Sequence, residues 1–446
     1  MRKNMPYIIQ FALLLALFLV ILFQSFTKRV EMKPLNGYDK EEPDSVGLCF
    51  STYWDGSYQH YMTEHAKRNT GFREFFIRNY NQIAYSVFQT ITNDNVVEGR
   101  DREFFLKMYL NESTGKTFAD TYSSIEEAKA DARQNVEKTV RLVETMKQHG
   151  TQFLFVFAPS KPAVYPEKMP KYYQDHRFEF PMEEYYIELF KEYNLPHIDF
   201  LNYFRSIKDS FPYPLYTRTG THWSEAVLPY VADSILRKLE SLTGYDLPGI
   251  QYLDDNPTTE YSQQDGELEG QMNMLFPLNK PALPRPVYVM DDTLGKDKPK
   301  LLVVADSYFY QLRVSCFTDA FQRWDYWVYN REVQSSHPGY HGKQLKWVFD
   351  AADVLEQADI VMAVFTAPFY YNYLCGFHES AMKLYQNGVT SDEEAIEAII
   401  HNIHESPEWY HALEKQAEER GISIEENLLR NAQYVLWQFK QDRKKQ

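Results

Sequence analysis

A histidine and a serine in this chain occupy positions that suit acyl transfer. His222 lies in Thr219-Gly220-Thr221-His222-Trp223-Ser224, where a loop meets an amphipathic run that starts at Ser224. Ser307 follows the apolar run Leu301-Leu302-Val303-Val304-Ala305, within Asp306-Ser307-Tyr308. A serine hydroxyl is a weak nucleophile and needs a neighbouring base. A histidine just before a helix is held neutral by the positive end of the helix dipole, and neutral imidazole accepts the serine proton. Backbone N–H groups after Ser307 would stabilise an oxyanion. One usual part is missing. Two residues before His222 stands Gly220, which cannot orient an imidazole. Asp199, after Pro196-His197-Ile198, is one candidate for the third member. A Ser–His dyad with a backbone carbonyl on Nδ1 is another. Asp306 is expected to fix the nucleophile turn rather than reach His222. Each residue also has an ordinary reading. Asp-Ser after a strand is common, His-Trp is often a packed aromatic pair, and Asp199 would serve as a structural cap.

The elements around these residues read as α/β. Residues 125–149 form a long amphipathic helix with Val136, Val140, Val143 and Met146 on its apolar face, stopped by Gly150. Residues 153–158 follow as a continuous apolar run, the mark of a strand buried on both faces. Helices are expected at 185–193, 224–239 and 343–357. Further strands are expected at 196–200, 301–305 and 360–365. Alternating helices and apolar strands imply a mostly parallel sheet, with reactive residues outside its C-terminal strand ends. A hairpin is expected at 96–106. Phe72, Phe75, Phe76, Tyr80, Ile83 and Val87 are spaced as an amphipathic helix packing on a core. Residues 246–299, rich in Pro, Asp and Gly, read as an irregular excursion. Residues 391–440 read as helical, capped at Ser391 and Ser406.

The chain opens with a membrane signal. Residues 7–26 carry no charge, and about twenty helical residues span the hydrocarbon thickness. Arg2 and Lys3 precede the run, and no small-x-small cleavage site follows it. The reading is an uncleaved signal anchor inserted in the lipid bilayer through residues 7–26. Basic residues on both flanks (Arg2 and Lys3; Lys28, Arg29 and Lys33) leave the positive-inside count undecided. An anchor of this type commonly leaves the main domain outside the cytoplasm. The organisation drawn is a tail at 1–6, the anchor at 7–26, a linker at 27–70, an α/β domain at 71–385 and a helical extension at 386–446.

Composition narrows the function. A net charge of −15 without a basic block argues against nucleic acid, which needs a basic surface. Cys49, Cys316 and Cys375 fit no metal or redox spacing, and each is expected as a small buried hydrophobe. His337/His341 and His401/His404 have suggestive spacings but lie in polar sequence. No metal and no cofactor is assigned. The 34 Tyr and 30 Phe would suit sugar stacking, though most are expected in the core.

Several segments, taken in order, resemble the alginate O-acetyltransferase-like branch of the SGNH-hydrolase superfamily. Phe157-Ala158-Pro159-Ser160-Lys161, with Tyr165-Pro166-Glu167, is similar to that family's strand and Pro-Ser-Lys loop. Thr219-Gly220-Thr221-His222-Trp223-Ser224 is similar to its Asp-x-His-Trp segment, with Gly220 at the aspartate position. Ala305-Asp306-Ser307-Tyr308 is similar to its Gly-Asp-Ser block, with Ala305 in place of glycine. Residues 321–329 and 358–361 also match, and the likeness covers 72–380. The resemblance implies an SGNH-hydrolase-like parallel sheet flanked by helices, Ser307 as nucleophile and His222 as base. It implies acetyl transfer to an extracytoplasmic polysaccharide acceptor. A multi-pass membrane O-acyltransferase would be the acetyl donor. Two other outcomes stay open: a carbohydrate acetyl esterase using the same site, and a degenerate scaffold partner of the membrane acyltransferase, which Gly220 favours.

Overall fold

The apolar runs become the centre of a seven-stranded sheet. The computed structural model describes residues 5–37, 45–291, 293–338, 344–346, 351–387 and 392–443. In chain order the strands are β1 (Gln152–Phe157), β2 (His197–Asp199), β3 (Lys300–Ala305), β4 (Arg323–Val328), β5 (Glu332–Ser335), β6 (Gln344–Leu345) and β7 (Ile360–Phe365). Their spatial order is β6-β5-β4-β3-β7-β1-β2. β4, β3, β7, β1 and β2 run parallel, while β5 and β6 add an antiparallel edge.

The strand pleat divides the core in two. Phe153, Phe155 and Phe157, Leu302 and Val304, and Val361, Ala363 and Phe365 point to one face. Leu154 and Val156, Leu301, Val303 and Ala305, and Ile360, Met362 and Val364 point to the other. All are buried, as a central parallel sheet requires. Helices Ile125–Gln148, Met182–Glu192 and Phe377–Asn387 cover the first face. Helices Phe200–Ile207, Leu228–Thr243 and Phe309–Val314 cover the second. The fold is α/β, with an N-terminal apolar helix and a C-terminal helical region. The latter comprises Asp392–Glu405, Pro407–Arg420 and Ile424–Arg443 around a small core of their own. Ser406 caps its helix by accepting from the Trp409 N–H, 3.4 Å.

The structure corrects the sequence reading at several points. The helix expected from Ser224 begins at Leu228, because Pro229 takes the first turn, where no N–H is needed. The expected irregular stretch 246–299 contains an antiparallel pair, Ile250–Asp255 with Pro286–Met290, and a short helix Glu267–Met272. Within the helix expected at 343–357, Gln344–Leu345 is strand and Ala351–Gln357 is helix. β4 and β5 were not anticipated as strands. Arg2, Lys3, His341 and Ser391 lie outside the described residues.

The chain divides into two compact units, Met1–Asp94 with Glu269–Asn279, and Asn95–Leu268 with Lys280–Gln446. The sheet belongs to the second. The first holds Met5–Thr27, 23 residues long and apolar enough to cross a membrane, and helices Phe50–Trp54, Ser57–Asn69 and Arg73–Phe88. Two of these fall in the stretch read as linker. Here too an expectation fails. The apolar stripe of Arg73–Phe88 is turned outward, with Tyr80 68% and Val87 67% exposed, whereas Asn81 and Ala84 are buried. In water such a face forgoes about 1.5–3 kcal/mol for each large side chain. Cys49, expected buried, is exposed.

Candidate active site

Ser307 is delivered by sheet register. β3 ends at Ala305, paired with Val364 of β7, so Asp306-Ser307 emerges at the C-terminal edge beside Thr366. Asp306 is fully buried and locks the turn. One carboxylate oxygen accepts from the Tyr308 N–H at 2.9 Å. The other accepts from the Thr366 N–H at 2.8 Å and its hydroxyl at 2.7 Å. The Tyr326 hydroxyl donates to the Asp306 carbonyl at 2.6 Å. Burial pushes the Asp306 pKa up, and the bonds from Tyr308 and Thr366 oppose that rise. Asp306 therefore fixes the turn that carries Ser307, as its position suggested.

His222 arrives on a loop held by side chains. The Lys161 ammonium is buried and donates to the carbonyls of Phe104 (2.9 Å), Thr217 (2.7 Å), Arg218 (3.1 Å) and Gly220 (3.3 Å). It also pairs with Glu103 at 2.9 Å. Burial lowers the Lys161 pKa to about 8 against the pull of Glu103. The Tyr308 hydroxyl donates to the Thr221 carbonyl at 2.9 Å, tying the loop to the nucleophile turn.

The two halves meet. His222 Nε2 lies 2.9 Å from Ser307 Oγ. Its Nδ1 lies 3.0 and 3.1 Å from the carboxylate oxygens of Glu267. Glu267 also accepts from the Thr221 N–H at 2.7 Å. A carboxylate on Nδ1 sets that nitrogen as the donor and leaves Nε2 free to accept from the serine. Burial alone would lower the His222 pKa, but the charge and hydrogen bond of Glu267 raise it above 6.5. For Glu267, burial would raise the pKa, and the opposing His222 and Thr221 contacts bring it below the usual carboxylate value. His222 is thus not at a helix N-terminus, and Glu267 raises its pKa where a helix dipole would lower it.

Glu267 takes the place expected for Asp199. Asp199 instead caps Phe200–Ile207, accepting from the Asn202 N–H at 2.9 Å, and pairs with Lys191. Position 220 itself has no room for a side chain. A Cβ at position 220 would stand 2.6 Å from Thr217 Oγ1 and 3.2 Å and 3.3 Å from the carbonyl oxygens of Asp265 and Gln264. The turn before Glu267 fills that space, and the Thr217 and Thr219 hydroxyls both bond the Asp265 carbonyl.

The N–H groups after Ser307 are partly spent. That of Tyr308 serves Asp306, and that of Tyr310 bonds the Ser307 carbonyl at 3.0 Å. Tyr329 is nearby: burial and then the Asp306 charge raise its pKa, and its interactions with Ser307 oppose that rise. Tyr329 and Asn330 both have positive φ, 49° and 57°, in the turn between β4 and β5, where Arg331 N–H bonds the Val328 carbonyl at 3.0 Å. Left-handed backbone at two bulky residues is costly and persists where surrounding contacts over-determine it. Asn330 supplies such contacts, bonding the Cys375 carbonyl at 3.0 Å and Lys346 at 2.8 Å. Among the described residues, no group of three or more His, Cys, Asp or Glu side chains is placed to hold a metal ion.

Residues 114–304 match the family model described as ALGX, SGNH hydrolase-like domain, acetyltransferase AlgX. The matched span includes His222 and Glu267 and stops short of Ser307. Among solved structures, the chain is similar to the O-acetyltransferase domain of Pseudomonas putida AlgJ, at 15% identity and TM-score 0.37, covering 64% of this chain and 99% of that one. It is also similar to Pseudomonas aeruginosa AlgX, at 12% identity and TM-score 0.38, covering 66% and 71%. Bacillus cereus PatB1 with a sulfonyl adduct gives 12% identity and TM-score 0.37, covering 63% and 99%. No curated protein matches the sequence.

Proposed function

We propose that the chain is a membrane-anchored, extracytoplasmic O-acetyltransferase that modifies a polysaccharide through an acetyl-serine at Ser307. The observation that carries this reading is the unbroken line Ser307–His222–Glu267, at 2.9 Å and 3.0 Å. The similarity of residues 114–304 to an acetyltransferase family model supports acetyl as the transferred group. In the first half-reaction Ser307 Oγ gives its proton to His222 Nε2 and attacks the acetyl carbonyl carbon. The Tyr329 O–H and the Ser307 N–H stabilise the oxyanion. The intermediate collapses to acetyl-Ser307, and the leaving oxygen takes the proton from Nε2. A sugar hydroxyl then gives its proton to Nε2, attacks the acetyl carbon and expels Ser307 Oγ, which is reprotonated. Glu267 offsets the imidazolium in both halves.

A multi-pass membrane O-acyltransferase fits as the acetyl donor, because the helix Met5–Thr27 would hold the chain at the bilayer where such a donor works. The intact His222–Glu267 pair favours chemistry over a retired scaffold. The test uses the full chain with a chromogenic acetyl ester. Turnover and a mass increment of one acetyl on the Ser307 peptide are expected. Acetylated oligosaccharide should appear when an acceptor is added, whereas acetate release that acceptor leaves unchanged would make the protein an esterase. No turnover and no acetyl-Ser307 would overturn the proposal.

A further inference from the structure

The helix Arg73–Phe88 is built inside out. Phe75, Phe76, Tyr80, Ile83 and Val87 face outward. Its inner side is held by polar contacts: Asn81 donates to the Met272 carbonyl at 2.9 Å and accepts from the Thr92 hydroxyl at 2.8 Å. An apolar stripe opposite a polar, hydrogen-bonded one is the pattern of a helix lying in a membrane interface.

Its position in the unit points the same way. The Gly71 N–H, just before the helix, bonds Ser25 Oγ at 2.7 Å, and a Cβ there would meet the Ile21 carbonyl oxygen at 2.3 Å. Lys28 Nζ bonds the Asn69 carbonyl at 3.1 Å. The outward stripe thus begins against the last turn of Met5–Thr27, where that helix would leave the hydrocarbon. Gln24, in the same turn, folds its amide onto the Val30 backbone at 2.7 and 3.1 Å, so its polar atoms are satisfied. Tyr53 and Trp54, on the helix Phe50–Trp54, are exposed aromatics of the kind that settle at headgroup level.

Charge identifies the surface. Residues 28–33 and 64–78 carry Lys28, Arg29, Lys33, Lys67, Arg68, Arg73 and Arg78 against Glu31, Glu64 and Glu74, with Lys67 paired to Glu64 at 2.6 Å, in a chain of net charge −15. A local basic cluster on an acidic protein complements anionic headgroups. We propose that the apolar face of Arg73–Phe88 lies in the headgroup–acyl boundary of the bilayer crossed by Met5–Thr27, with this cluster meeting anionic lipid. The inference rests on the membrane-anchored reading above.

The experiment places one fluorescent NBD label at a time on the full chain, with Cys49→Ser, Cys316→Ala and Cys375→Ala as background. The sites are Ile83→Cys, Leu14→Cys in the anchor and Lys147→Cys on the exposed side of Ile125–Gln148. The protein is reconstituted in phosphatidylcholine vesicles with and without phosphatidylglycerol, carrying quenchers near the headgroup or near the chain end. Position 83 should sit about 5–10 Å below the headgroups. It should lose more fluorescence to the shallow quencher than to the deep one, and less in the absence of phosphatidylglycerol. Position 14 should respond most to the deep quencher, and position 147 to neither. Quenching at 14 without quenching at 83 overturns the interfacial helix and leaves the anchor standing. That is also the result if the face is kept for a protein partner. No quenching at 14 overturns the anchor itself.

Discussion

Ser307 and His222, the proposed nucleophile and base, are positioned by different means. Ser307 is set by the backbone: a six-residue parallel strand, its register with β7, and a buried aspartate that takes three hydrogen bonds. His222 is set by side chains reaching in from elsewhere. Lys161 grips four carbonyls, and Glu267 comes from a short helix in a proline-rich excursion. A strand end tolerates change around it because the whole sheet defines it. A loop held by a handful of side-chain contacts does not. The half most open to remodelling is therefore the His222 half, where glycine stands at 220 and the carboxylate on Nδ1 comes from Glu267.

Variants test this division. Ser307→Ala removes the hydroxyl proposed to carry the acetyl group. Turnover of a chromogenic acetyl ester should fall by about 10⁶-fold, with folding unchanged by circular dichroism. Glu267→Gln keeps the shape but loses the charge and can present the wrong tautomer. A loss of about 10⁴-fold in kcat is expected, with little change in KM. Lys161→Met leaves the loop carbonyls without their donor and Glu103 with Lys168 alone. Chemical denaturation should show a loss of about 3 kcal/mol, with activity reduced in the fraction that folds. Asp199→Ala removes a helix cap and should cost about 1 kcal/mol without altering kcat. A large kinetic loss in Asp199→Ala would mean that the base half is organised differently.

The same division governs what the sequence discloses. The central strands could be read because burial on both faces demands unbroken apolar runs, and Ser307 could be placed because it follows one. Asp306 was readable as a turn anchor for the same reason. Glu267 was not. It stands among Asp254, Asp255, Glu260, Asp265 and Glu269 in a stretch without periodicity, and a helix of six residues leaves no amphipathic trace. Gly220 signalled only that an acid was needed, not where it lay. Pro229 could have moved the helix start from Ser224 to Leu228, and with it the argument for a neutral histidine. Tyr329 escaped because its role depends on a left-handed turn that two non-glycine residues do not advertise. The helix Arg73–Phe88 shows a further limit. Spacing reveals that an apolar stripe exists, but not whether protein or another medium covers it.

The central claim is that Glu267 holds and charges His222 as the base for Ser307. The most direct test is the pH dependence of kcat/KM for the native chain and for Glu267→Gln. His222 must be neutral to accept a proton, so activity falls as pH drops through its pKa. With Glu267 present that pKa is raised, and the acid limb should lie above 6.5. In Glu267→Gln the raising charge is gone and burial remains, so the acid limb should move to lower pH while the plateau drops. An acid limb at the same pH in both proteins, with an unchanged plateau, would contradict the account.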